Sequence, residues 1–213
     1  MSLLVKICGL KTPETVDAAL DAGADMLGFV FFGKSPRNLS PDVAASLGAR
    51  VQGRALKVAL SVDADDATLD AIIAALAPDL LQLHGKESPA RTAGIAARTG
   101  LPVMKAIGVE SRADLAAAHD YAPCCARLLF DAKPPKGAVL PGGNGAAFDW
   151  EILRGFHPGR PWMLSGGLTP ANVAEALRVT GAPGVDVSSG VETSPGVKDA
   201  SLIRAFVAAA RGA

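Results

Sequence analysis

Residues 3–31 read LLVKICGLKTPETVDAALDAGADMLGFVF. The first six are apolar apart from Lys6 and predict a strand over 3–8. Thr12 then stands as a helix cap with Pro13 in the first turn and Gly23 as the stop, which predicts a helix over 12–22. A second apolar run follows over 25–31. Two continuously apolar strands joined by a helix describe parallel neighbours whose sheet is covered on both faces.

The same alternation continues along the chain. Strands are predicted over 55–61, 80–83, 102–107, 127–130, 162–164 and 185–187, and helices over 41–47, 67–76, 89–97, 112–119, 149–153, 170–179 and 202–210. Eight strand–helix units in 213 residues fit a (β/α)8 barrel better than an open doubly wound sheet. No linker, charge block or composition break divides the chain, so the reading is one α/β domain over 1–213, a parallel eight-stranded TIM barrel. The longest irregular stretch, residues 132–148, holds four Gly and three Pro and follows the sixth strand. A loop of that length inside a compact domain suits a lid over a barrel mouth.

Composition narrows the function classes. Basic and acidic side chains number 21 each, for a formal net charge of +0, and 49% of residues are hydrophobic. Balanced charge without Lys/Arg clusters argues against nucleic acid or an anionic membrane as partner. No apolar run approaches the roughly 18 residues that span a bilayer. Three cysteines do not describe a disulfide framework. These features predict a soluble cytoplasmic protein, and leave monomer and homodimer both open.

Polar residues at the C-terminal ends of barrel strands are the candidates for chemistry. Cys8 ends the first strand and shares a face with Lys6, a cation placed to favour the thiolate. Arg37, fixed behind a proline in GKSPRN, is placed to take a carboxylate in bidentate fashion. Gln82 and His84 follow strand four; His84 has no second ligand at metal spacing and reads as a hydrogen-bonded histidine at the mouth. Asp131 ends the apolar run LLFD, where Phe130 and the lid favour a raised pKa and a general acid. Two glycine turns, Ser165–Gly167 and Ser188–Gly190, follow strands seven and eight, with Asp186 beside the second. Together they form a place where barrels hold a phosphate on backbone N–H groups. Cys124 and Cys125 lie on the opposite end and read as packing residues.

The segments KICGL (6–10), FGKSPRNLSP (32–41), LLQLHG (80–85), FD (130–131), LSGGLTPANV (164–173) and DVSSGVETSPGVKD (186–199), with the glycine turn and FDW over 142–150, resemble phosphoribosylanthranilate isomerase of tryptophan biosynthesis. The resemblance spans essentially the whole chain. One departure is Asn144, where the family more often has a hydroxyl residue. The resemblance implies a cofactor-free, metal-free Amadori rearrangement of a phosphorylated aminosugar to a ketose. Asp131 matches the general acid and Cys8 the general base. Arg37 matches the anthranilate contact, and Gly166, Gly167, Ser189 and Gly190 match the phosphate site. Lys6, His84, Asp186 and Ser188 complete the expected substrate contacts.

These roles make a physical demand. Unperturbed Asp and Cys titrate near about 4 and about 8.5, the wrong states for this division of labour at neutral pH. Asp131 is expected to be raised by desolvation, and Cys8 lowered by Lys6 or by the substrate's iminium charge. Competing readings are weaker. A histidine-pathway aminoaldose isomerase is expected to use two carboxylates, and indole-glycerol-phosphate synthase a lysine-rich mouth. A non-catalytic phosphate-binding barrel has no need of both Cys8 and Asp131.

Overall fold

The computed structural model describes residues 3–134, 137, 140–143, 145 and 148–213; Asn144 lies outside them. Eight parallel strands close in sequence order: β1 (Leu4–Cys8), β2 (Met26–Phe31), β3 (Leu56–Ser61), β4 (Leu80–Leu83), β5 (Val103–Val109), β6 (Arg127–Ala132), β7 (Trp162–Leu164) and β8 (Gly184–Val187). Helices α1 (Pro13–Asp21), α2 (Pro41–Val51), α3 (Asp66–Leu76), α4 (Pro89–Thr99), α5 (Ala117–Tyr121), α6 (Val173–Thr180) and α7 (Ala200–Arg211) run outside. The barrel expected from the alternation is the barrel observed.

Local chemistry sets the helix starts. Thr12, Ser40 and Ser88 each precede a proline, and each side-chain oxygen accepts the backbone N–H three residues on. The proline lacks a donor where none is needed, and the hydroxyl satisfies one of the orphan N–H groups.

Three expectations differ from the structure. Residues 112–119 form a 3-10 turn, Arg112–Ala116, that runs into the five-residue α5. Asp114 draws the chain into that turn by accepting the N–H groups of Glu110 and Ser111, and Pro123 follows too closely for a longer helix. Residues 149–153 hold only the 3-10 turn Trp150–Leu153. The helix expected from Pro170 begins at Val173, because Asn172 accepts from Thr169 N–H and donates to Gly167 O, closing a separate turn ahead of it. A hairpin that the strand–helix reading did not contain, β9 (Glu192–Ser194) with β10 (Val197–Lys198), lies between β8 and α7. Among the described residues no helix is long and apolar enough to cross a membrane.

Alternate residues of each strand face opposite ways, as the period of two requires. Outward residues such as Val5, Ile7, Leu27, Phe29, Leu81 and Val185 pack under the helices. Inward residues form layers: Met26, Val58, Leu80, Met104, Leu129 and Met163 fill the floor, and Cys8, Val30 and Leu60 lie higher. Between them sit the fully buried Lys6 and Gln82.

Among the described outward residues of the barrel strands one buried side chain is charged. Lys105 is 2% exposed, and its Nζ donates to Gly85 O at 2.7 Å, Leu83 O at 3.3 Å and Glu87 Oε2 at 2.8 Å. Glu87 also accepts the N–H groups of Asp63 and Gly85, so this pair ties the loop after β4 to β3 and β5. Glu87→Ala leaves the Lys105 ammonium buried without its carboxylate. The expected loss is about 3–5 kcal/mol, read from urea unfolding; a loss below about 1 kcal/mol contradicts the account.

Candidate active site

A cavity opens at the C-terminal end of the barrel. Cys8, Arg37, His84, Asp131, Ser165, Gly166, Gly167, Asp186, Ser188 and Ser189 all line it. Two further candidates lie behind the lining. Lys6 is fully buried beneath the cavity. Gly190 packs against the neighbouring loop, where an added Cβ would stand 1.8 Å from Leu168 O. Only glycine permits the loops after β7 and β8 to approach that closely.

Cys8 is the last residue of β1, and Gly28 of β2 gives it room. A Cβ on Gly28 would fall 2.8 Å from Cys8 Sγ and 3.1 Å from Lys6 Nζ. A glycine in the middle of the strand MLGFVF marks such a close approach. Lys6 Nζ donates to Asp186 Oδ1 at 2.8 Å, and Ser165 Oγ donates to Asp186 Oδ2 at 3.4 Å. Burial works against the Lys6 ammonium, but Asp186 and Cys8 outweigh it and hold its pKa above the usual lysine value.

The electrostatics correct one expectation. Lys6 does pull the Cys8 thiol toward ionisation, but burial is the larger effect and Asp186 adds to it. The thiol therefore titrates above its ordinary value, not below. A desolvated group favours its neutral form, and Lys6 is largely spent on Asp186.

Asp131 sits within β6, one residue short of its end, and faces the cavity. Its Oδ1 accepts from Ala132 N–H at 2.9 Å, and Oδ2 lies 3.2 Å from His84 Nε2. On the other side of that ring, Gln82 Nε2 stands 3.0 Å from Nδ1. With the amide donating to Nδ1, the neutral ring carries its proton on Nε2 and offers it to Asp131. Phe130 points away from the mouth, edge-on to Phe156 and Trp162, so it does not flank the carboxyl within the cavity as expected. Instead Gly142 covers the pair: a Cβ there would fall 2.6 Å from both Asp131 Oδ2 and His84 Nε2.

Arg37 departs furthest from its expected state. Its guanidinium is buried, with Nε and Nη2 each 2.8 Å from the two oxygens of Glu192, and Nη2 also donates to Gly143 O at 3.2 Å. The bidentate edge expected to take a ligand carboxylate is thus filled by a protein carboxylate. What remains is Nη1, which has no protein acceptor among the described residues.

Glu192 and Lys198 were not legible as site residues. Both lie on the β9–β10 hairpin, within DVSSGVETSPGVKD but beyond its glycine turn. Lys198 Nζ donates to Glu192 Oε1 at 2.5 Å, Ser188 O at 3.0 Å and Ser188 Oγ at 3.2 Å. Burial lowers its pKa to about 8, against the pull of Glu192. Burial would raise Glu192, but Arg37 and Lys198 outweigh it and hold that carboxylate below its usual value.

Chemically, the cavity holds a thiol on β1 and a carboxyl on β6, with β7 and β8 between them on the shorter path round the barrel. Consecutive glycines with left-handed backbone, Gly166 at φ +89° and Gly167 at φ +65°, face the Ser188–Ser189 turn. That arrangement suits proton transfer on a small molecule held by an anionic end.

Comparison with known proteins bears on this geometry. The family model of N-(5'-phosphoribosyl)anthranilate (PRA) isomerase matches residues 5–209. A protein of Bradyrhizobium sp. (strain ORS 278) named N-(5'-phosphoribosyl)anthranilate isomerase is 62% identical over 213 residues, covering 100% of this chain and 97% of its own. The crystal structure of phosphoribosyl anthranilate isomerase from Thermotoga maritima superposes with a TM-score of 0.89 at 34% identity, covering 99% of this chain and 100% of that one. A phosphoribosyl anthranilate isomerase in complex with reduced 1-(o-carboxyphenylamino)-1-deoxyribulose 5-phosphate gives a TM-score of 0.85 at 33% identity, over 99% and 100% of the two chains.

The hydrogen-bond chain makes its own prediction. Long-range proton–nitrogen NMR spectra of the neutral His84 ring are expected to show Nε2 protonated and Nδ1 bare. A protonated Nδ1 would reverse the polarity of the chain from Gln82 to Asp131.

Proposed function

The chain belongs to the N-(5'-phosphoribosyl)anthranilate isomerase family, and from that premise we infer that Cys8 and Asp131 are the base and acid of its reaction. The reaction is the Amadori rearrangement of N-(5-phosphoribosyl)anthranilate to 1-(2-carboxyphenylamino)-1-deoxyribulose 5-phosphate in tryptophan biosynthesis. One observation carries the assignment: a thiol and a carboxyl enter one cavity from separated strands.

The proposed sequence begins with the acid. Asp131 gives its proton to the furanose ring oxygen, and the bond from that oxygen to C1 breaks as the anthranilate nitrogen forms a C1=N iminium. His84 supports this step by donating to the carboxylate that results, which stabilises the charged form. The iminium makes the C2 proton acidic. Cys8 takes that proton, the C2–H electrons become the C1=C2 bond, and the C1=N π pair returns to nitrogen to give a neutral enolamine. Protonation at C1 and loss of the C2 hydroxyl proton give the ketone.

Burial explains the order. Because the Cys8 thiol is held up by desolvation, it ionises poorly in the empty cavity. A cationic iminium a few ångströms away favours the thiolate. The base is therefore armed by the product of the acid step. Substrate binding follows from the same walls. The Gly166–Gly167 and Ser188–Ser189 turns offer backbone N–H groups to the phosphate. Arg37 Nη1 meets the anthranilate carboxylate through a single contact, since Glu192 occupies the forked edge.

Three variants test the assignment in a fluorescence assay that follows consumption of the anthranilate adduct. Cys8→Ala and Asp131→Ala are each expected to lower kcat by about a hundredfold or more with KM changed little, as loss of a general base or acid requires. Turnover near wild type in either removes that residue from the mechanism. Arg37→Ala is expected to act mainly on KM, raising it about tenfold; an unchanged KM would move the carboxylate contact elsewhere.

A further inference from the structure

The hairpin after β8 brings a buried lysine to the back of the β1 terminus, and the reading of Cys8 as base gives that lysine no assigned part. We propose that Lys198 is a positioning residue for the base: its buried ammonium supplies the counter-charge against which the Cys8 thiolate forms, and Glu192 holds it there. The proposal rests on the role given to Cys8 above.

The connection between the two residues is short. Ser188 Oγ donates to Cys8 O at 3.2 Å and lies 3.2 Å from Lys198 Nζ, so one hydroxyl bridges the lysine to the backbone of the cysteine. A Cβ on Gly9, the next residue, would stand 3.3 Å from Nζ. Gly9 has φ +80°, and a Cβ there would meet Arg37 first, with Cδ at 2.7 Å, and the ammonium next.

Charge counting gives the reason. The charged groups gathered round the end of β1 and the hairpin are Lys6, Arg37 and Lys198, against Asp186 and Glu192. Three positive and two negative groups leave one positive charge over. Asp186 answers Lys6, and both oxygens of Glu192 answer Arg37, so Lys198 shares an oxygen already engaged. A thiolate at Cys8 brings the sum to zero. The side chain of Lys198 is 1% exposed. Burying a cation there without a partner in prospect is costly, and an apolar side chain would fill the same volume at no such cost.

The titration of the two groups agrees with this geometry. Against the dominant effect of burial, Lys6 and Lys198 both draw the Cys8 thiol down while Asp186 pushes it up. In turn Cys8 and Glu192 draw the Lys198 ammonium up while Arg37 and burial push it down. Each ion therefore favours the other where both are present, which is below the Lys198 titration at about 8.

The test reads the thiol directly. The rate of Cys8 alkylation by iodoacetamide is followed against pH by site-resolved mass spectrometry in the intact chain, for wild type, Lys198→Met and Lys198→Arg. Lys198→Met is expected to lower the Cys8 alkylation rate about tenfold below about pH 8, where Lys198 is protonated, displacing the foot of the Cys8 titration by about one unit. The rising limb of kcat/KM against pH is expected to move the same way, with KM nearly constant. Lys198→Arg keeps the charge and is expected to restore both. An unmoved Cys8 titration in a folded Lys198→Met, or an equal shift in Lys198→Arg, overturns the proposal. If the methionine variant does not fold, Lys198→Gln is read by the same criteria. Failure of the underlying reading looks different: Cys8→Ala would keep its turnover while the alkylation shift in Lys198→Met persisted.

Discussion

A closed barrel has no solvent on its inner face, so any charge placed there must find its partner inside. Lys6 and Asp186 meet that constraint across the β1–β8 pairing, where their Cα atoms are in register and Nζ reaches Oδ1 at 2.8 Å. Much of the upper barrel follows from this one pair. Gly28 has no side chain because the ammonium and the neighbouring thiol occupy the space a Cβ would need. The floor below it is wholly apolar, with Met26, Met104 and Met163 filling irregular gaps as flexible thioethers do. Above it the wall turns polar, and the cavity begins.

The second tier of charge is built from loops and obeys the same rule. Glu192 neutralises Arg37 and steadies Lys198, and Gly143 O takes a further Arg37 proton from the loop after β6. Three βα loops are thus fastened to one another by buried polar contacts. Gly142, from the same loop as Gly143, rests on Asp131 and His84. The carboxyl proposed as the acid and the arginine proposed to meet the ligand are therefore positioned by adjacent glycines of a single segment. Side chains at either position would drive that segment off the mouth.

How much of this was legible in the sequence depended on whether the signal was local. The strands were, because an apolar run between Gly or Pro punctuation needs no partner to be recognised, and Thr12-Pro13, Ser40-Pro41 and Ser88-Pro89 announce helix starts by their own chemistry. Cys8 and Asp131 stood out as polar ends of apolar strands. What could not be read was pairing over long separations. Glu192 lies 155 residues from Arg37, and nothing in GKSPRN shows that its arginine is already engaged. The pull of Lys6 on the thiol reads as too strong in the sequence for a related reason. Its neighbour Lys6 is visible two residues away, while Asp186, which absorbs that lysine's charge, arrives only when the barrel closes. The short helices failed on competition: Asp114 and Asn172 offer the backbone local hydrogen bonds that the apolar periodicity does not register.

The division between backbone and side-chain donors at the mouth has a consequence for the proposed chemistry. The chain has a net charge of +0, so it offers no general attraction to an anionic substrate. A phosphate could be held by lysines, but each lysine so engaged would be neutralised by the ligand just when the thiolate has to form. Backbone N–H groups of the two glycine turns carry partial charges that attract the phosphate without consuming a cation. Lys6 and Lys198 lie behind the cavity wall, already paired within the protein, and their field at Cys8 survives substrate binding. On this reading the anion is bound by dipoles, and the ammonium of Lys198 remains available to the base.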